Sequence, residues 1–320
     1  MIEKKSKIFA GIRFKLDTIR IQLIFGIVIL IVLFSSCGSS FFNHPVYGDI
    51  STGYLSFEHN GIERQYALHI PETVTENAPL LLSMHGYTDD AIQHRDYTEL
   101  NRVADLNGFI VAYPRGIKDK EGERFFNMGY FFHQTETVDD VGFLTELTLY
   151  LQKTYKINSE RTFTAGFSNG GDLSYMLACQ RPDIFKGFVS VGGLMLEDFK
   201  LDCEFTVPIP ILEIRGEDDE ITLYKGDINN ETGWGRYPPI EETVDFWKTR
   251  NGCKTVSRDT LFGPDSGDFQ RIEIMKFQDC SDDKEVWLYK ITDYGHEWPQ
   301  GTDDHWLNAS EEIWRFLSKY

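Results

Sequence analysis

The sequence predicts an α/β architecture: a doubly wound, mostly parallel sheet preceded by an antiparallel hairpin. Three observations carry this. Short apolar runs, LLLSMHG (80–86), GFIVAYP (108–114), RTFTAGF (161–167), FKGFVSVGG (185–193), IPILEIRG (209–216) and EVWLYKIT (285–292), are separated by segments of helical length, the pattern of strands buried on both faces. Before them, residues 54–70 alternate apolar and polar side chains around Asn60-Gly61, a hairpin signal. Hydrophobic residues make up 41% and charged residues 26% of 320 positions, enough apolar surface for one large core.

The elements follow in order. Residues 139–156 place Val141, Leu144, Leu147 and Leu151 at helical spacing behind Asp139 and Asp140, where carboxylates complement a helix N-terminus. A helix is expected directly after RTFTAGF, and a last one from about Asp303 to Lys319. Strand–helix alternation without a Pro/Gly/Ser-rich linker points to one domain over residues 51–320.

The N-terminus has a different character. Lys4, Lys5, Lys7, Arg13, Lys15 and Arg20 precede the apolar run IQLIFGIVILIVLF, which ends at SSCGSS. A run of this length suits a signal segment better than a membrane span of about 20 residues. Cys37 after small residues resembles the lipidation cysteine of bacterial lipoproteins; an uncleaved signal anchor is the alternative. Residues 1–37 are therefore read as the signal and 38–50 as a linker, with the body exported, either secreted or held at the bacterial envelope, and meeting a membrane only through this segment. The net charge of −18 makes nucleic acid an unsuitable partner, because an acidic surface repels phosphate backbones. Cys179, Cys203, Cys253 and Cys280 are an even set in an oxidising compartment, and no CxxC spacing supports a metal site.

Gly166-Phe167-Ser168-Asn169-Gly170 falls between an expected strand and an expected helix, the context of a nucleophile elbow. A serine hydroxyl must pass its proton to a base as it attacks, so a histidine is required. Of eight histidines only His296 and His305 follow Ser168. His305 lies in the expected last helix, whereas His296 stands in a loop after the strand EVWLYKIT and is the candidate base. An acid must fix the imidazole tautomer, and Glu217-Asp218-Asp219-Glu220 end the strand IPILEIRG; strand-end physics alone does not choose among the four. The backbone N–H groups of Asn169 and Tyr87 are the candidate oxyanion hole, with His85 a pin for its loop.

The segments MHGYTD, VDDVGF, GFSNGG, RGEDDEITLY, WKTRNGC and GHEWP, in that order, resemble the esterase family of polyhydroxybutyrate depolymerases and feruloyl or acetylxylan esterases, of the α/β-hydrolase fold. The likeness spans about residues 62–300. It implies Asp219 as the acid, completing Ser168 and His296, and pairs Cys179 with Cys203 and Cys253 with Cys280. Arg215 replaces the family's usual His. VDDVGF leans toward the feruloyl-esterase branch, while the cysteine pair often found upstream of it there is missing. The function implied is ester hydrolysis through an acyl-enzyme, without cofactor, on feruloyl or acetyl esters of plant polysaccharide or on a polyester such as polyhydroxybutyrate. Trp234 and Trp298 are the candidate substrate-binding residues, and Phe125, Phe126, Tyr130, Phe131 and Phe132 are either pocket wall or core. A prolyl-oligopeptidase-like serine peptidase and a non-catalytic glycan-binding lipoprotein are the competing readings.

Overall fold

Asn60 and Gly61 both adopt positive φ, 51° and 75°, the backbone a two-residue hairpin turn needs. They join β1 (Leu55–His59) to β2 (Ile62–His69) in the expected antiparallel pair. The computed structural model describes residues 53–204, 207–262, 271–302 and 305–320; the signal segment, its Cys37 and the linker lie outside them.

The apolar runs form strands as read: β3 (Leu80–Met84), β4 (Ile110–Arg115), β7 (Thr162–Phe167), β8 (Gly187–Val191), β9 (Ile211–Gly216) and β12 (Val286–Ile291). Two short strands, β5 (Ile117–Lys118) and β6 (Arg124–Phe125), pair separately. The hairpin of β10 (Thr255–Phe262) and β11 (Arg271–Gln278) closes one edge of the sheet. The order is β1-β2-β4-β3-β7-β8-β9-β12-β11-β10. Every pairing from β4 through β12 is parallel, so the C-terminal strand ends share one edge.

Helices cover both faces. α1 (Ala91–Thr98) and α2 (Leu100–Asn107) lie on one face with the C-terminal α7 (Ala309–Leu317). α3 (Asp140–Tyr155), α4 (Asn169–Gln180) and α6 (Ile240–Arg250) lie on the other; α5 (Glu197–Leu201) is a single turn and a half. Asp139 caps α3, its Oδ1 accepting from Gly142 N at 2.7 Å. That helix buries Phe143, Leu144, Leu147 and Leu151, each stabilising by about 1.5–3 kcal/mol. Leu147→Ala would cost about 2–5 kcal/mol through the cavity it leaves. Asp140 of the same VDDVGF segment forms a buried pair with Arg64 at 2.5 Å, so that motif anchors α3 to β2.

The last helix begins later than its pattern suggested. Gln300–Thr302 (β13) and His305–Asn308 (β14) pair as strands, and α7 starts only at Ala309. The reason is the cap: Asn308 Oδ1 accepts from Glu311 N at 3.1 Å, and a residue that caps cannot itself be helical.

Two disulfides brace this frame. Cys179–Cys203 ties the end of α4 to the segment leading into β9, and Cys253–Cys280 ties the chain after α6 to the segment leading into β12.

Candidate active site

The serine stands where β7 turns into α4, and its backbone is forced there. Ser168 has φ 52° and ψ −120°, a region costing of order 1–3 kcal/mol for a residue with a side chain. The flanking glycines make the turn possible. A Cβ on Gly166 would lie 2.1 Å from the Gly170 carbonyl, and one on Gly170 would lie 2.2 Å from Met84 O. β3, β7 and α4 therefore approach more closely than any side chain permits. Ser168 N donates to Val191 O at 2.8 Å, which holds the elbow over the end of β8, and the serine is 9% exposed.

His296 is held from its Nδ1 side. Asp219 Oδ2 lies 2.7 Å from Nδ1, so Nδ1–H donates and Nε2 is left as the basic nitrogen. The ring packs on Phe167, the residue before Ser168, with centroids 4.9 Å apart. A Cβ on Gly192, the residue after Val191, would meet His296 Cε1 at 3.3 Å. The imidazole thus sits beside the elbow, over a glycine that leaves room for it.

Among the four strand-end acids, Asp219 is the buried one; Asp218 and Glu220 are exposed, and Glu217 pairs with Lys290 at 2.7 Å. Asp219 Oδ1 accepts from Ile221 N and Thr222 N at 2.9 and 2.8 Å. Oδ2 also receives Arg215 Nη1 at 3.3 Å. Burial by itself would raise the Asp219 carboxyl, but the hydrogen bond from His296, the charges of Arg215 and His296, and Thr222 N–H together hold it below the usual carboxylate range.

Asn169 begins α4, so its N–H belongs to the unsatisfied donors of a helix N-terminus. Its side chain is committed elsewhere, bonding both N and O of Phe126 at 2.8 and 3.0 Å. Tyr87 follows Gly86, where a Cβ would lie 3.4 Å from Ser168 Cβ; the loop passes directly over the serine. His85 pins that loop: Nδ1–H donates to Gly86 O at 2.7 Å and Nε2 accepts from Gly116 N at 2.9 Å. Burial, reinforced by Arg124, Arg115 and Arg64, outweighs the Gly86 hydrogen bond and pushes its pKa down to about 4, so it stays neutral.

The aromatic candidates divide. Phe125, Phe126 and Tyr130 are buried, whereas Phe131 and Phe132 are 61% and 38% exposed. Trp234 is partly buried and packs edge-on against Tyr87 and Phe132, centroids 5.9 and 5.4 Å away. Trp298 is corrected to core: it is 1% exposed, stacks edge-on to His94 at 5.6 Å and donates Nε1–H to Ser310 Oγ at 3.3 Å. Its indole is enclosed by His94, Phe167 and Ser310, which leaves no face for a ligand.

Sequence reasoning missed several supporting groups. The Thr222 hydroxyl lies 2.9 Å from Asp219 Oδ2 and 2.8 Å from Gly192 O, either of which can take its proton, and 3.3 Å from His296 Nδ1. The Tyr87 hydroxyl donates to buried Asp119 at 2.9 Å, which His133 Nε2 also meets at 3.0 Å. No periodicity marks such residues; each acquires its part through long-range contact.

A mostly parallel sheet flanked by helices, with a strained serine at the turn from its central strand into α4, is the α/β-hydrolase fold. Residues 64–200 match the family described as esterase PHB depolymerase. A bifunctional acetylxylan esterase/xylanase of Neocallimastix patriciarum is 26% identical over 165 residues, 52% of this chain and 23% of that protein. A feruloyl esterase B of Piromyces equi is 26% identical over 182 residues, 55% of this chain and 33% of its own. The chain thus spans a quarter to a third of the length of these two relatives. An acetyl xylan esterase from Aspergillus awamori superposes with a TM-score of 0.58 at 12% identity, covering 80% of this chain and 94% of that one, a likeness of fold. The chain is thus similar in sequence to proteins named acetylxylan esterase, feruloyl esterase and poly(3-hydroxyalkanoate) depolymerase.

Proposed function

We propose that this chain is a serine carboxylic-ester hydrolase in which Ser168 attacks the ester carbonyl, His296 takes its proton and Asp219 fixes the imidazole. The observation that carries the reading is the 2.7 Å bond from His296 Nδ1 to Asp219, made by a ring packed against the residue before the strained serine. Attack forms the Ser168 Oγ–carbonyl bond; the oxyanion is met by the N–H groups of Tyr87 and Asn169. Collapse returns the proton from His296 to the departing alkoxide and leaves an acyl-enzyme. Water, activated by the same histidine, then releases the acid.

The substrate class proposed is a feruloyl or acetyl ester carried on plant polysaccharide, or a polyester such as polyhydroxybutyrate. The names of the relatives support it, as do the exposed Phe131 and Phe132 beside Trp234, an apolar wall suited to an uncharged acyl or sugar face. The two disulfides support export, since such bonds persist in oxidising compartments. Labelling Ser168 with a fluorophosphonate, then comparing p-nitrophenyl acetate, methyl ferulate, acetylated xylan and polyhydroxybutyrate, tests both levels. An unlabelled serine would refute the mechanism, and hydrolysis of none of the last three would refute the substrate class.

A further inference from the structure

Beneath the acid turn lies a group of buried charges that the mechanism above leaves unused. Glu213 and Arg215 are two apart on β9, so their side chains share one face of the sheet. Arg215 is 2% exposed. Its Nε donates to Glu213 Oε1 at 3.0 Å, and its Nη1 reaches Asp219 Oδ2 at 3.3 Å, Thr222 O at 2.7 Å and Thr222 Oγ1 at 2.6 Å. Tyr175 from α4 completes Glu213, donating to Oε2 at 2.7 Å. One guanidinium therefore bridges a fully buried carboxylate and both ends of the turn that presents Asp219 to His296.

We propose that Arg215 is a positioning residue for ester cleavage, holding Asp219 in line with His296, with Glu213 as the counter-charge that lets a guanidinium stand there. This rests on the serine-esterase reading. Four consecutive carboxylates repel one another, and water solvates whichever point outward; a fixed interior cation selects the one that turns in. Asp219 is four residues from Arg215, and it is the member of the four that is buried. The planar fork bonds Glu213 from one nitrogen and the turn from another, which a single-point ammonium could not reproduce. The groups of the fold that face this cation are Glu213, Asp219 and Tyr175 at close quarters, with Asp172, Tyr224 and Tyr237 farther off and His296 on the other side of Asp219. Glu213 offsets the repulsion Arg215 would otherwise exert on the imidazolium formed during attack.

The test compares Arg215→Met with the double variant Glu213→Gln/Arg215→Met, using kcat, KM, the pH profile of kcat/KM on p-nitrophenyl acetate, and Tm. Arg215→Met alone strands a buried carboxylate and lowers Tm; the double variant removes both charges and recovers Tm. If Arg215 positions Asp219, the double variant keeps a kcat roughly 10- to 100-fold below the parent, the effect of one charge-assisted hydrogen bond, with KM within about threefold. In Arg215→Met, which keeps Glu213, the acid limb moves to higher pH, because losing the cation beside Asp219 makes that carboxyl easier to protonate. A double variant with parental kcat, or an unmoved acid limb in Arg215→Met, would overturn the proposal and reduce Arg215 to a partner for Glu213. Should the double variant not fold, Arg215→Lys decides: with the charge kept and the fork lost, kcat falls roughly tenfold at an unchanged acid limb, and a parental kcat overturns it. Failure of the esterase reading looks different, since the parent itself would then resist the fluorophosphonate, and the proposal would fall with it.

Discussion

Replacing Asp219 with asparagine tests the proposed chemistry at its most constrained point. Oδ1 accepts two backbone N–H groups, from Ile221 and Thr222, so the oxygen of the introduced amide must stay there. Its NH2 group then occupies the Oδ2 position, facing His296 Nδ1 at 2.7 Å and Arg215 Nη1 at 3.3 Å. A donor at that place forces His296 into the tautomer with Nε2 protonated, which cannot accept the serine proton. The corresponding change in a serine protease lowers turnover about 10⁴-fold, equivalent to about 5.5 kcal/mol of activation free energy. The clash of the Arg215 and amide donors adds about 1–3 kcal/mol of lost folding stability. The assay is steady-state hydrolysis of p-nitrophenyl acetate beside thermal unfolding, with exposed Asp218→Asn as control. We expect kcat to fall by up to about 10⁴, KM to change little and the control to match the parent. A kcat within about tenfold of the parent in Asp219→Asn, or a large loss in the control, would refute the assignment.

Ser168→Ala should lower kcat by about 10³-fold or more while Tm holds, because the residual rate then comes from the oxyanion donors and binding; activity within tenfold of the parent would remove Ser168 as nucleophile. His94 is pushed down to about 3, by burial chiefly and by nearby His85, so its stabilisation is complete above its unfolded value of about 6.5 and is lost as pH falls toward 3. Between pH 7 and 5 the parent should therefore lose roughly 2 kcal/mol relative to His94→Gln; a stability difference constant with pH would show that His94 does not titrate this way. Reduction of the disulfides opens loops with sequence separations of 24 and 27, each contributing roughly 3 kcal/mol in the chain-entropy account. Esterase activity should decline at a lower concentration of reductant than far-UV circular dichroism does; loss of both signals together would contradict the view that these bonds brace catalytic geometry within an intact core.

What the sequence determined by itself is whatever short-range physics encodes. Strands buried on both faces are predominantly apolar, so LLLSM and GFVSV were legible as strands. Asn60-Gly61 announced its turn because few residue pairs tolerate two consecutive positive φ values. Gly-Phe-Ser-Asn-Gly was legible because the close packing of β3, β7 and α4 excludes a Cβ on either side of the serine. The choice of acid was not legible from the residues alone: 217–220 are four carboxylates alike in composition, and only packing puts Asp219 inside, against Arg215 and His296. The sequence also could not separate Trp234 from Trp298, two loop tryptophans of which one borders Tyr87 and the other is enclosed by His94, Phe167 and Ser310. The start of the last helix escaped it for a different reason, since 300–302 and 305–308 pair as short antiparallel strands that their helical pattern does not reveal. For the acid and the tryptophan the deciding energy is desolvation against a partner distant in sequence, Asp219 and His296 being 77 positions apart and Trp298 and Tyr97 201, and that energy exists only once the chain has folded.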